Sequence, residues 1–154
     1  MSDKLLSEAP ATGPEATPSP VRTPHRSLVA LRIIAVAHLI VFFLQPVLAG
    51  IYLSGDFDAL GLHDLNAQIL SGFTAAQLIG CLIYAWRGGG RWWPLIFTVV
   101  LVLLEESQKG LGYNQLVALH IPVGVLLIMT QLIFTGWAFT GRAKVARVRR
   151  GDRS

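Results

Sequence analysis

Apolar and polar positions along this chain do not alternate at a strand period, nor do they form one amphipathic helical stripe. Apolar residues gather instead into four long runs, at about 28–53, 62–86, 92–111 and 115–139. A run of roughly 20 apolar residues spans about 30 Å of hydrocarbon as a helix. Lipid offers backbone groups no water, so each run must close its own hydrogen bonds as a helix. The pattern predicts an all-α protein, a four-helix transmembrane bundle of residues 28–140.

Composition agrees. Of 154 residues, 53% are hydrophobic and 14% charged, too apolar for an ordinary soluble domain. Residues 1–27 hold five of the eight prolines among Ser, Thr, Ala and Glu, and read as a disordered tail. They contain no apolar core followed by a cleavage site, so they do not read as a signal peptide. Residues 141–154 read as a basic tail. The single cysteine, Cys81, excludes an internal disulfide and any multi-cysteine metal or iron–sulfur site.

Charge predicts orientation. Arg22 and Arg26 precede the first run, Arg87 and Arg91 flank the loop after the second, and the C-terminal tail is basic. The loop SGDFDALGLHD carries only acids. The positive-inside bias therefore places both termini in the cytoplasm of a multi-pass cell-membrane protein. Trp86, Trp92, Trp93 and Trp137 then fall at the inner interface, with Tyr52 and Tyr113 at the outer one. The lipid bilayer is the expected partner. The basic tail has no associated folded motif, which argues against nucleic acid, and a homo-oligomer is left open.

The two hairpins resemble each other. Gln45, Leu48 and Ala49 match Gln108, Leu111 and Gly112, and each following helix opens on a Leu-His pair, Leu62-His63 and Leu119-His120. Four residues past each histidine stands a small residue, Ala67 or Gly124. Two like-oriented hairpin repeats would bring His63 and His120 to one depth, facing each other across the bundle.

His120 lies about six residues into its run, roughly 9 Å along the axis. Ionisable residues at such depth face the bundle interior and mark function or a hydrogen bond to a neighbouring helix. Two neutral imidazoles on facing helices meet the need of a b-type haem for axial nitrogens, and Ala67 and Gly124 would admit a flat macrocycle. Gln45, Gln108, Asn66 and Asn114 are available to fix the ring tautomers. His38 has no counterpart in the second hairpin, and a hydrogen bond to Gln131, Gln77 or Ser71 is expected of it. Glu105 and Lys109 have the spacing of an ion pair on one helix face, while the alternative for Glu105 is to point inward near His120. Asn66, Gln68, Ser71, Thr74 and Gln77, with Gly72 and Gly80, suit close helix packing.

The Leu-His openings, the outer glutamines and the four-run layout resemble small four-helix membrane cytochromes of b type, one half of haem A synthase, and a set of uncharacterised bacterial four-span proteins. The resemblance covers residues 28–140. It implies at most one haem b, held by His63 and His120, and electron transfer to a membrane redox partner or quinone. The chain lacks the four paired ligands of two-haem members and the His-Arg signature of the synthase, so the synthase reaction is not implied. Two further readings stay open: a cofactor-free accessory subunit of a membrane complex, and a proton-coupled transporter using Glu105, His120 and His38. No nucleophile–base arrangement, phosphate loop or hydrolase motif supports an enzyme.

Overall fold

The computed structural model describes residues 26–144, and the expected tails before and after that range lie outside the described residues. Four helices follow in order: α1 (Arg26–Leu53), α2 (Ala59–Trp86), α3 (Trp93–Tyr113) and α4 (Val117–Phe139). A short 3₁₀ turn, Gly141–Lys144, follows α4. The helices start and stop within a few residues of the apolar runs. α1 takes in Arg26 and Ser27, and α2 begins at Ala59, so His63 sits inside the helix rather than at its mouth.

Each helix packs on its chain neighbours, and α4 closes the ring against α1. α2 and α4 therefore face each other across the bundle, as do α1 and α3. The α1–α2 and α3–α4 connections share one end, here the turn end. The other end, here the termini end, carries the α2–α3 loop and the first and last described residues. Tight connections explain the backbone: Gly55 (φ 105°), Gly89 (φ 62°) and Gln115 (φ 57°) adopt the left-handed region in the three loops. In the α2–α3 loop, a Cβ on Gly90 would fall 2.3 Å from the Tyr84 ring, so glycine lets the loop fold over that ring. The ring hydroxyl in turn donates to the Ala143 carbonyl (2.9 Å).

α1, α2 and α4 are long and apolar enough to cross a membrane, whereas α3 carries Glu105, Glu106 and Lys109 and is less apolar. Side chains such as Ile33 (66%), Leu103 (64%) and Ile133 (68%) stay exposed on the outside of the bundle. Such a surface suits lipid, because apolar residues facing hydrocarbon lose nothing by staying outside. This is a membrane protein with a helical bundle.

The interior is layered. At the termini end Leu28, Leu31, Ala35, Cys81, Tyr84 and Phe134 form one apolar cluster. Phe42, Leu70, Leu101 and Leu127 form a second, closer to the turns. Between them His38, Thr74, Gln77, Thr98 and Gln131 are all buried. Gly80 lets α1 approach α2, since a Cβ there would meet Ile34 at 3.3 Å and Leu31 at 3.4 Å. Gly72 has no such role, because nothing lies within 4 Å of its Cβ position. Pro46 and Pro122 lie inside α1 and α4, and both helices run on past them.

Candidate functional site

The ring centres of His63 on α2 and His120 on α4 stand 6.2 Å apart, with planes inclined at 63°. Opposite helices carry them, so the contact crosses the bundle at its turn end. Each ring is held by the preceding helix. His120 Nδ1–H donates to the Gln108 carbonyl (3.0 Å), and His63 Nδ1–H donates to the Gln45 carbonyl (3.2 Å). A carbonyl can only accept, so the Gln108 contact puts the His120 ring proton on Nδ1 and its lone pair on Nε2, while the Gln45 carbonyl offers His63 the same tautomer. Neither Nε2 has a hydrogen-bond partner among the described residues.

The glutamine side chains complete the arrangement. Gln108 Nε2 donates to the His120 carbonyl (2.6 Å). In the orientation that satisfies both its ends, the Gln45 amide donates to the His63 carbonyl (3.3 Å) and accepts from the Ala67 N–H (3.0 Å). Its nitrogen then lies 2.6 Å from His63 Nδ1 and favours the opposite tautomer of that ring. His63 thus has a partner for either tautomer, whereas His120 has one for Nδ1–H alone. The two glutamine–histidine pairs are spaced 18 and 12 residues apart, and the difference lies in the helix ends and turns between them.

The small residues serve these glutamines. A Cβ on Gly124 would come within 2.9 Å of Gln108 Nε2, and one on Gly112 within 3.0 Å of His120 Cε1. The Gln45 amide meets the Ala67 backbone N–H, and the Gln108 amide lies against Gly124. Asn66 and Asn114 do not touch the rings: Asn66 donates to the Val41 carbonyl (3.0 Å) and Asn114 to that of Gly110 (2.8 Å).

As a donor set the imidazole pair fits one metal atom. Two metal–nitrogen bonds of about 2 Å each, with the ring radii, put imidazole centres roughly 6 Å apart. No group of three or more His, Cys, Asp or Glu side chains that could hold a metal ion occurs among the described residues.

A second polar assembly sits deeper. Glu105 points into the bundle, 4% exposed, and bonds to Thr74 rather than approaching His120. Lys109 does not pair with it but with Glu106 (2.6 Å), on the exposed side. His38 contacts Gln77 (3.1 Å) and Thr74 (3.2 Å) and stacks on Phe42 (4.7 Å). Gln77 and Gln131 exchange two bonds, of 3.2 and 2.8 Å. Sequence reasoning anticipates the Gln77 contact of His38 but not its link through Thr74 to Glu105. The only signal was the placement of Thr74 and Gln77 one turn apart on the polar stripe of α2.

Comparison of the chain with protein-family models, with curated proteins and with solved structures gives no match.

Proposed function

We propose that this chain is a membrane-embedded electron carrier in which His63 and His120 would hold one b-type haem. The observation that carries the reading is the anchored pair of rings: both Nδ1 atoms bond to glutamine carbonyls, and the ring centres stand 6.2 Å apart. Anchoring at Nδ1 orients a ligating imidazole and raises its basicity. Bound haem supplies one-electron chemistry. The chain's own work is to present two lone pairs across the bundle, hold them in register and surround them with apolar helices. Gln45 and Gln108 border the site and set how much room a flat ring has.

The matching Gln45–His63 and Gln108–His120 pairs support reading the two hairpins as copies of one unit. Orientation belongs to the same proposal. Arg87, Arg91, Arg142 and Lys144 lie at the termini end, and Asp56, Asp58 and Asp64 at the turn end, so the positive-inside bias puts the termini in the cytoplasm and the histidines toward the outer leaflet. The exposed apolar faces suit lipid, and a quinone, a membrane redox partner or a second copy of the chain would meet the site from there.

Absorption spectroscopy of the protein purified from haem-replete cells tests this reading. A Soret band that is lost in His63→Ala and in His120→Ala supports it, and colourless wild-type protein sinks it. The same glutamine–histidine bonds favour a second reading, a cofactor-free accessory subunit whose histidines clasp neighbouring helices. In that case the protein is colourless and both substitutions lower its stability.

A further inference from the structure

We propose that Glu105, Thr74 and His38 form a proton-binding site inside the bundle, in which the carboxyl and the imidazole share one proton through the Thr74 hydroxyl. This proposal does not depend on haem.

Hydrogen-bond donors and acceptors can be counted along the chain of contacts. Gln131 Nε2 donates to the Ala35 carbonyl (3.3 Å), which can only accept, and this fixes the orientation of that amide. Its other hydrogen goes to Gln77 Oε1 (2.8 Å), while Gln77 Nε2 donates to Gln131 Oε1 (3.2 Å). Gln77 therefore presents an oxygen to His38, and His38 Nδ1–H is the donor across 3.1 Å. The remaining ring nitrogen, Nε2, faces Thr74 Oγ1 at 3.2 Å.

Thr74 has one hydrogen to give and three neighbours. They are the Leu70 carbonyl (3.0 Å), His38 Nε2 and Glu105 Oε2. With an ionised Glu105 and a neutral His38, all three would be acceptors, and only one contact could be a full hydrogen bond. The others would set lone pair against lone pair in a water-poor interior, where unmade hydrogen bonds are costly. One added proton supplies a hydrogen to both the Glu105 and the His38 contact, leaving only the Leu70 carbonyl, an acceptor within its own helix, without one; it can do so in either of two ways. Glu105 O–H can donate to Thr74, which donates to His38 Nε2. Alternatively His38 Nε2–H donates to Thr74, which donates to the Glu105 carboxylate.

The two arrangements contain the same atoms and the same net charge. They interconvert when the Glu105 O–H bond breaks as Thr74 gains that hydrogen, and the Thr74 O–H bond breaks as Nε2–H forms. Nothing is oxidised or reduced.

Two charged groups of α3 act on Glu105, and they carry opposite signs. From α3, Lys109 and Glu106 pair with each other, and Lys109 also donates to Ser71 (2.8 Å). α2 brings Thr74 and Gln77 to the site and α4 brings Gln131, none of them charged. Beyond His38, α1 brings Phe42. Glu105 Oε1 has no partner among the described residues, which an uncharged carboxyl tolerates better than an ionised one.

Solid-state NMR of the full chain in lipid vesicles at neutral pH, with ¹⁵N-histidine and ¹³C-glutamate labels, reads both groups in the wild type without any variant. Two results support the proposal: an acid-form Glu105 beside a neutral His38, or an ionised Glu105 beside an imidazolium. Glu105→Gln then removes the glutamate signal and identifies it. An ionised Glu105 beside a neutral His38, or two protonated groups, overturns the proposal. In Thr74→Val, which keeps both titratable groups but removes the hydroxyl, the two signals are expected to lose their common pH midpoint. A retained common midpoint also overturns it.

Discussion

Gln108 and His120 hold each other twice: the Gln108 amide donates to the His120 carbonyl at 2.6 Å, and the His120 ring donates to the Gln108 carbonyl at 3.0 Å. Together the two bonds clamp α3 to α4 just below their turn. The clamp needs Gly124, whose Cβ position lies 2.9 Å from the same amide nitrogen.

Gly124→Ala should therefore act through Gln108. The amide is the end of a flexible side chain and can move aside, but moving costs its bond to His120. We expect Gln108→Ala to lower stability by about 0.5–1.5 kcal/mol, the net worth of one such bond, and Gly124→Ala to lose the same bond but recover up to about 1 kcal/mol through helix propensity. The double variant should be no less stable than Gln108→Ala alone, because both changes remove the same contact. Reversible unfolding in mixed detergent measures all three, and additive losses would count against the clamp.

The amide pair Gln77–Gln131 gives a second test, in the middle of the bundle. Both side chains are fully buried, and each donates to the other. Interhelical hydrogen bonds in membrane proteins average about 0.6 kcal/mol and reach about 1.7. Gln131→Leu should fall toward the upper end, since it also removes one of the side-chain donors to the Ala35 carbonyl and leaves Gln77 Nε2 only a long contact (3.5 Å) with Thr98. Replacing both glutamines by leucine should recover part of that loss. A double-mutant cycle on thermal unfolding reads the coupling, and a coupling near zero would mean that the pair contributes nothing.

Gly80 and Gly72 lie on one helix and should respond in opposite ways. Gly72 has open space at its Cβ position, so Gly72→Ala should stabilise α2 by up to about 1 kcal/mol through helix propensity alone. Gly80→Leu should cost about 1–3 kcal/mol, because the larger side chain must part α1 from α2 at Leu31 and Ile34. Melting temperatures of the two variants in one detergent give the comparison. Equal shifts of the same sign would show that neither glycine governs the approach of the helices.

Apolar helices can be read along a sequence because the length of an apolar run is a one-dimensional property, and the four helices begin and end close to their runs, three of them long and apolar enough to cross a membrane. Partners across the bundle are harder to read, since they depend on how each helix is rotated about its axis. Gln45 and Gln108 were recognisable beside His63 and His120 because the hairpins repeat the same residue types in the same order. Nothing repeated in that way points to the Glu105–Thr74 contact. Spacing alone suggested Lys109 for Glu105, but the helix turns Glu105 inward and leaves Lys109 beside Glu106. Ala67 and Gly124 were legible as small residues one turn past a histidine. That the smallness of Gly124 makes room for the Gln108 amide depends on side-chain packing that the sequence does not display.

Arg32 ties the first helix to the last. Its Nε donates to the Ala138 carbonyl at 2.8 Å, and the guanidinium lies 5.1 Å from the centre of the Phe139 ring. Ala138 is among the last residues of α4, whose terminal carbonyls have no partner further along the helix and carry the negative end of its dipole. A cation there satisfies an otherwise free acceptor, and the planar group can face the aromatic ring at the same time. Arg32→Met removes all of this and should lower stability by about 1.5–3 kcal/mol, the range for hydrogen bonds to charged groups. Arg32→Lys keeps the charge but not the flat fork, and should lose about half as much. If the lysine variant proves as stable as wild type, charge alone accounts for the contact. If the methionine variant does too, the last turn of α4 is held by other means.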